Sequence, residues 1–220
     1  MANRSSCIAM SINKIYASKP GDYYLKQMSS PGLRGIWFRA RQNTTAGLVK
    51  KYFKGDLILD IGCGNCLWDN NNMPTLGIDL SEAMLRHNAS NNPFFSPLKS
   101  DVVIGLPLKD NSVGMVIVTE LLEHLVSYEQ LLKEIFRVLK KGGIIIGSVP
   151  YGAYPGIWGF IFPLWCRYKA WADRDEYYLN KCGHRVKFNT GKIRIGLADF
   201  NLLELFSLCH LTLFFAARKE

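Results

Sequence analysis

The chain lacks an apolar run long enough to cross a bilayer. "GIWGFIFPLWC" (156–166) falls far short of the roughly 20 residues a helical span needs. "LLELFSLCHLTLFFAA" (202–217) is longer, but it carries Glu204 and His210 and is largely β-type. A peripheral membrane contact through 156–166 is all that is left of the membrane class. The opening "MANRSSCIAMSINKIYASKP" has no continuous apolar core of the secretory kind, which predicts a cytoplasmic protein with free thiols. Cysteines are few, and of Cys7, Cys63, Cys66, Cys166, Cys182 and Cys209 only Cys63 and Cys66 are closely spaced. Acidic residues are short as well, 18 against 27 basic ones, for a net charge of +9. The basic residues are scattered and no nucleic-acid-binding module accompanies them, so nucleic acid is a weaker expectation than a small acceptor. There is no internal repeat and no low-complexity tract beyond Asn70–Asn72.

What is present reads as one domain of strands alternating with helices, since 220 residues fill one core and would strain to fill two. Residues 1–32 are expected as a partly ordered arm, and 33–220 as the domain. "LRGIWFRARQNTTAGLVKKYFK" (33–54) suits one or two helices leading into the core. "LILDI" (57–61), "TLGIDL" (75–80), "VGMVIVTE" (113–120) and "IIIGSVP" (144–150) are short apolar runs of the kind buried parallel strands use. Ser81 is placed to cap the helix "EAMLRHNA". Between the last two strands, Ser127 and Gln130 form a capping box, and Leu131, Leu132, Ile135, Phe136 and Leu139 make one helical face. Lys140–Lys141 suit that helix's negative end and Gly142–Gly143 its stop. "NLLELFSL" and "HLTLFFAAR" predict an antiparallel hairpin closing one sheet edge. The resulting fold class is α/β, a doubly wound and mostly parallel sheet. Residues 151–183, dense in Tyr, Trp and Phe, predict a helical insert over the carboxyl edge of the sheet, a lid for the acceptor.

"DLILDIGCGNCLWDNNN" (56–72) supports two incompatible chemistries. Cys63 and Cys66 make a Cys-x-x-Cys, a redox pair or half a zinc site. A zinc site needs two more ligands at suitable spacing, and Cys166 and Cys182 are not paired that way. Alternatively, Gly62 and Gly64 follow a buried strand, where bare backbone can approach a ligand and adopt positive φ. Asp79 stands nineteen residues after Asp60, at the end of the second strand, where a carboxylate can accept from both ribose hydroxyls of an adenosine group. The glycine-loop reading accounts for more of the residues.

At this point the sequence resembles the class I S-adenosylmethionine-dependent methyltransferases, in particular their small-molecule, type 11-like branch. "ILDIGCGNC" looks like the family's glycine motif and "LGIDLSEAML" like its second-strand motif. "SDVVIGLPLKDNSVGMVIVTELLEHL" and "LLKEIFRVLKKGGIIIGSVP" resemble the later ones, and "GHRVKF" (183–188) a late segment of part of the family. The likeness is close over 57–150 and loose to 220. It implies a seven-stranded Rossmann-like sheet that binds S-adenosylmethionine and releases S-adenosylhomocysteine. It places Asp60, Gly62, Cys63, Gly64, Asp79, Leu80, Asp101, Val102 and Glu120 at the cofactor. There are three departures. Cys66 stands where the family has a third glycine, only ten residues separate Cys66 from Gly77, and Val113–Gly114 replaces Phe-Asp. The loop must therefore accept a side chain at Cys66, and the helix after it should be short or irregular.

Methyl transfer from a sulfonium needs alignment, exclusion of water and a base for the acceptor's proton. Glu123, His124 and His184 are the catalytic candidates. Glu120-x-x-Glu123-His124 also resembles a divalent-metal motif of some relatives, including small-RNA 2′-O-methyltransferases, with His184 as a further ligand. In other relatives the same pattern faces the cofactor without metal, and no residue is assigned here as a metal ligand. A small-molecule or lipid-like acceptor is the expected partner. An RNA methyltransferase and a catalytically silent cofactor-binding domain are the alternatives.

Overall fold

Ile58–Ile61 (β1) is buried at all four positions, a pattern a strand can carry only where both faces of its sheet are covered. The computed structural model describes residues 17–69, 71–152, 161, 163–164, 166–168, 171 and 184–220. Its other strands are Thr75–Asp79 (β2), Phe95–Lys99 (β3), Val113–Thr119 (β4), Leu139–Pro150 (β5), Asn201–Leu208 (β6) and Thr212–Arg218 (β7). They form one seven-stranded sheet in the order β3-β2-β1-β4-β5-β7-β6. The first five strands pair in parallel, and β7 runs antiparallel to both β5 and β6. The mostly parallel Rossmann-like sheet and its C-terminal hairpin are thus both as expected.

Adjacent residues on the strands bury into opposite cores, as a period of two dictates. Ile58, Ile117, Ile146 and Phe214 meet Leu48 and Val49 of the helix Gly32–Tyr52 (α2, preceded by α1, Tyr23–Met28). Leu59, Val116, Ile145 and Phe215 meet Leu131 and Ile135 on the far side. Further helices among the described residues are Glu82–Asn91 (α3), Tyr128–Val138 (α4) and Thr190–Gly196 (α5). Ser81 caps α3 as predicted, its hydroxyl accepting from the Met84 amide at 3.4 Å.

The structure corrects the local reading in three places. The Ser127 side chain makes no capping bond; its carbonyl instead accepts from the Gln130 amide at 3.0 Å. Helix α4 stops at Val138, and Lys140–Gly143 belong to β5, because Leu139 already pairs with Val113. Pairing then jumps to Met115 with Ile144, and Gly142 at φ +77° serves this irregularity in the strand, not a helix stop. Strand β3 was not anticipated: "FSPLK" is polar and contains Pro97, tolerable because β3 is a sheet edge with only one neighbour to bond. The aromatic insert expected over 151–183 lies mostly outside the described residues, as does most of the segment 156–166. No helix among the described residues is long and apolar enough to cross a membrane.

Strand β1 lies between β2 and β4, so the chain leaves it in opposite directions on its two sides. A cleft opens at the carboxyl ends of β1 and β4 in sheets wound this way. The glycine loop sits there.

Candidate cofactor and acceptor site

The loop after β1 is latched to the neighbouring strand. The amides of Gly62 and Cys63 donate to the Ile78 carbonyl at 2.8 and 3.1 Å, and the Gly64 amide donates to Asp79 Oδ2 at 2.9 Å. Gly62 and Gly64 take left-handed backbone, at φ +68° and +48°. A Cβ on Gly64 would stand 2.9 Å from the Tyr24 ring, so α1 covers the loop closely. Asn65 fixes that contact: its Oδ1 accepts from the Tyr24 amide at 3.0 Å, and its Nδ2 donates to the Gly21 carbonyl.

Cys66 occupies the third-glycine place at φ +49°, a conformation that side chains other than glycine adopt at a cost. Tight turns follow it up to Asp69, with no helix among the described residues before β2, in keeping with the short spacing to Gly77. Cys63 and Cys66 are both buried and both reduced. Burial first, then the Asp60 carboxylate, pushes both thiols well above their usual range. Burial thus disfavours the thiolate that a redox pair needs, and among the described residues neither cysteine belongs to a cluster of three or more metal-ligating side chains, so nothing completes a zinc site. Asp60 itself is buried. Desolvation pushes it up to about 7, against hydrogen bonds from the Trp68 indole and the Cys66 thiol. The indole donates to Asp60 Oδ2 at 2.7 Å. Asp60 thus ties the loop together from beneath.

Above the loop lies a cavity of about 660 Å³, lined by Asp60, Gly62, Cys63, Gly64, Asp79, Leu80, Asp101, Val102 and Glu120. Every residue expected at the cofactor therefore reaches one cavity. Asp79 also accepts the Ser81 amide at 2.7 Å, and burial raises its pKa despite these donors. Asp101 caps the 3₁₀ turn Val102–Ile104, its Oδ1 accepting from the Val103 amide at 3.1 Å. The loop after it is held by Arg137, which donates to the carbonyls of Leu106 and Leu108 at 2.9 and 2.7 Å. Glu120 stands at the end of β4 with φ +53°. Its carboxylate accepts from Ser148 Oγ at 2.9 Å and pairs with Arg41 at 3.3 Å.

The three catalytic candidates come together, but unequally. His124 lines the cavity, whereas Glu123 and His184 stand behind its wall. The rings of His124 and His184 meet edge to face at 5.2 Å. Ligand atoms of Glu123, His124 and His184 all lie within 4.8 Å of one another. Glu123 is 1% exposed, its Oε2 has no partner, and burial with the nearby Glu120 drives its pKa well up. Its contact with His124, at 3.7 Å, is therefore no strong ion pair. Burial, helped by Arg41, lowers His184 to about 4 and keeps its ring neutral.

Sequence reasoning missed Arg41, Trp68, Asn65, Tyr24 and Arg185. Trp68 and Asn65 act through turns whose conformation no periodicity encodes. Arg41 lies on a helix read as an entry segment and Tyr24 in the stretch expected as a partly ordered arm, and their reach to the cavity follows only from how α1 and α2 pack.

Residues 59–147 match the family described as "Methyltransferase domain". The chain is 31% identical over 126 residues to a protein of Mycolicibacterium smegmatis named as a probable S-adenosylmethionine-dependent methyltransferase. That alignment covers 54% of this chain and 48% of the relative, so the chain spans about half the relative's length. It is 28% identical to a demethylmenaquinone methyltransferase of Symbiobacterium thermophilum, over 74% of this chain and 67% of that protein. Among solved structures, an S-adenosylmethionine-dependent methyltransferase of Mesorhizobium loti superposes with a TM-score of 0.62 at 17% identity. That superposition covers 81% of this chain and 98% of the other, and at such identity it speaks for the fold alone.

Proposed function

We propose that this chain, a member of the class I S-adenosylmethionine-dependent methyltransferases, methylates a small-molecule or lipid-like acceptor beside His124. The observation that carries this reading is one cavity joining the glycine loop and Asp79 to His124. Its volume lies within the range typical of small-molecule sites. Kinship with a demethylmenaquinone methyltransferase supports an apolar, ring-bearing acceptor.

The loop fits the cofactor. Glycine is needed at 62 and 64 by left-handed backbone and by close packing on Leu121 and Tyr24, and the loop so shaped lines the cavity. Asp79 is oriented by two amides and reaches the cavity, ready for ribose hydroxyls. Asp101 and Val102 offer a polar and an apolar contact for the adenine. When bound, S-adenosylmethionine supplies a methyl group activated by the sulfonium and leaves as S-adenosylhomocysteine. The chain's own work is alignment and proton removal. His124 Nε2 or Nδ1 accepts the proton of the acceptor's hydroxyl or amine, while Glu123 and neutral His184 hold the His124 ring from behind.

A second reading has one specific observation behind it. Glu123, His124 and His184 offer two imidazoles and a carboxylate oxygen within 4.8 Å, and Glu123 Oε2 is buried without a partner. That donor set suits a divalent metal, which would lower the pKa of an acceptor hydroxyl. Three of the groups that an RNA methyltransferase of the Glu-x-x-Glu-His kind would use are thus together, while Glu120 is paired with Arg41 and Ser148 instead.

Incubating the protein with methyl-labelled cofactor and a cell extract tests the choice. Label in the small-molecule or lipid fraction supports the first reading. Label confined to RNA replaces it with the second.

A further inference from the structure

Two guanidinium groups line the cavity that His124 also lines, and among the described residues only Arg41 has a counter-charge. Arg41, from α2, pairs with Glu120 at 3.3 Å, and its Nε is buried with no hydrogen-bond partner. Arg185 has no carboxylate partner among the described residues, and its Nη2 is likewise buried without one. Arg41 is held by its pair with Glu120, and Arg185 is anchored through its backbone. The amides of Arg185 and Val186 donate to the Glu123 carbonyl at 2.7 and 3.0 Å, which holds Arg185 beside the residue preceding His124. The Arg41 guanidinium lies over the Phe38 ring at 5.4 Å, and Phe38 is itself a wall of the cavity. Its field reaches both Glu123 and His184. Both residues are half-buried, but each keeps one buried guanidinium nitrogen without a hydrogen-bond partner, and a buried donor left unpaired is costly, so in a ligand cavity the two mark the place of a complementary anion. Guanidinium suits this task because its planar fork matches the oxygens of carboxylate and phosphate.

We propose that Arg41 and Arg185 bind an anionic oxygen group, carboxylate or phosphate, carried by the methyl acceptor, and so present its nucleophile to His124. The inference rests on the methyltransferase reading and adds the charge of the substrate to it. An acceptor with an apolar ring against Phe38 and an acidic group on the arginines satisfies both the wall and the surplus positive charge. A neutral acceptor would leave Arg185 without a counter-charge among the described residues.

The test is calorimetry on the full chain saturated with S-adenosylhomocysteine, titrated with benzoate, phenyl phosphate and benzamide. At least one of the two anions should bind about tenfold more tightly than the neutral benzamide, the weight of one charge-assisted contact. The tighter of the two identifies carboxylate or phosphate. Arg185→Gln should abolish the preference while its affinity for S-adenosylhomocysteine and its melting temperature stay at parental values. Arg185→Lys should restore part of it. Equal affinity for all three probes in a protein that binds S-adenosylhomocysteine overturns the anionic acceptor and leaves the methyltransferase reading standing. So does an Arg185→Gln variant that keeps the preference. Absence of S-adenosylhomocysteine binding defeats the methyltransferase reading itself, and the anionic acceptor with it.

Discussion

The Asp79 carboxylate accepts the Gly64 amide at 2.9 Å, so the acid at the end of β2 and the glycine loop after β1 are one rigid unit. Asp79 orients the loop and, in the proposed complex, the ribose. Asp79→Ala should therefore weaken S-adenosylhomocysteine binding by about 1.5–3 kcal/mol, the scale of hydrogen bonds to a charged group. Calorimetry measures it, and unchanged affinity removes Asp79 from the ribose.

Cys66 offers a test of backbone strain separate from side-chain loss. Cys66→Ala and Cys66→Gly both delete the thiol that bonds Asp60, but only the alanine keeps a Cβ at φ +49°. The glycine variant should be the more stable of the two by about 0.5–1 kcal/mol, the left-handed penalty less glycine's extra entropy loss. Urea midpoints of the two variants check the sign.

Buried Asp60 and half-buried His184 should tilt stability with pH in opposite directions. Asp60 is raised from 3.8 to about 7 on folding, so its contribution is full below about pH 4 and is lost as pH rises to about 7. Asp60→Asn should accordingly gain on the parent protein as pH climbs through that window. His184 is lowered from 6.5 to about 4, so its contribution is present above about pH 6.5 and is lost as pH falls toward 4. His184→Gln should gain on the parent as pH falls. Denaturant midpoints between pH 4 and 7.5 separate the two slopes.

If the Glu123–His124–His184 cluster holds a metal, chelation with EDTA should abolish methyl transfer, and Glu123→Ala should reproduce that loss. Full turnover in chelator assigns these residues to holding the His124 ring. Glu123→Gln, which keeps shape in a site where burial already favours the neutral acid, should then cost less than Glu123→Ala.

The fold was readable in the sequence wherever burial on both faces forced a signal. Strands β1, β2, β4 and β5 announced themselves as apolar runs, and the hairpin of β6 and β7 as two β-type segments in succession near the end of the sequence. Strand β3 did not, because an edge strand with one bonded side tolerates Pro97 and polar residues. The end of α4 was misplaced because Lys140–Gly143 satisfies both a helix stop and an irregular strand, and only pairing with β4 decides between them. At the site, residues of the glycine and second-strand motifs were legible because they are close in sequence. Arg41 and Arg185 were not, since α2 and the segment after the insert meet the cavity only through tertiary packing.

The most direct test of the central claim is calorimetric titration of the full chain with S-adenosylhomocysteine. The account predicts saturable binding at one site, weakened in Asp79→Ala. No heat of binding at millimolar ligand, from a protein that melts cooperatively, would contradict it.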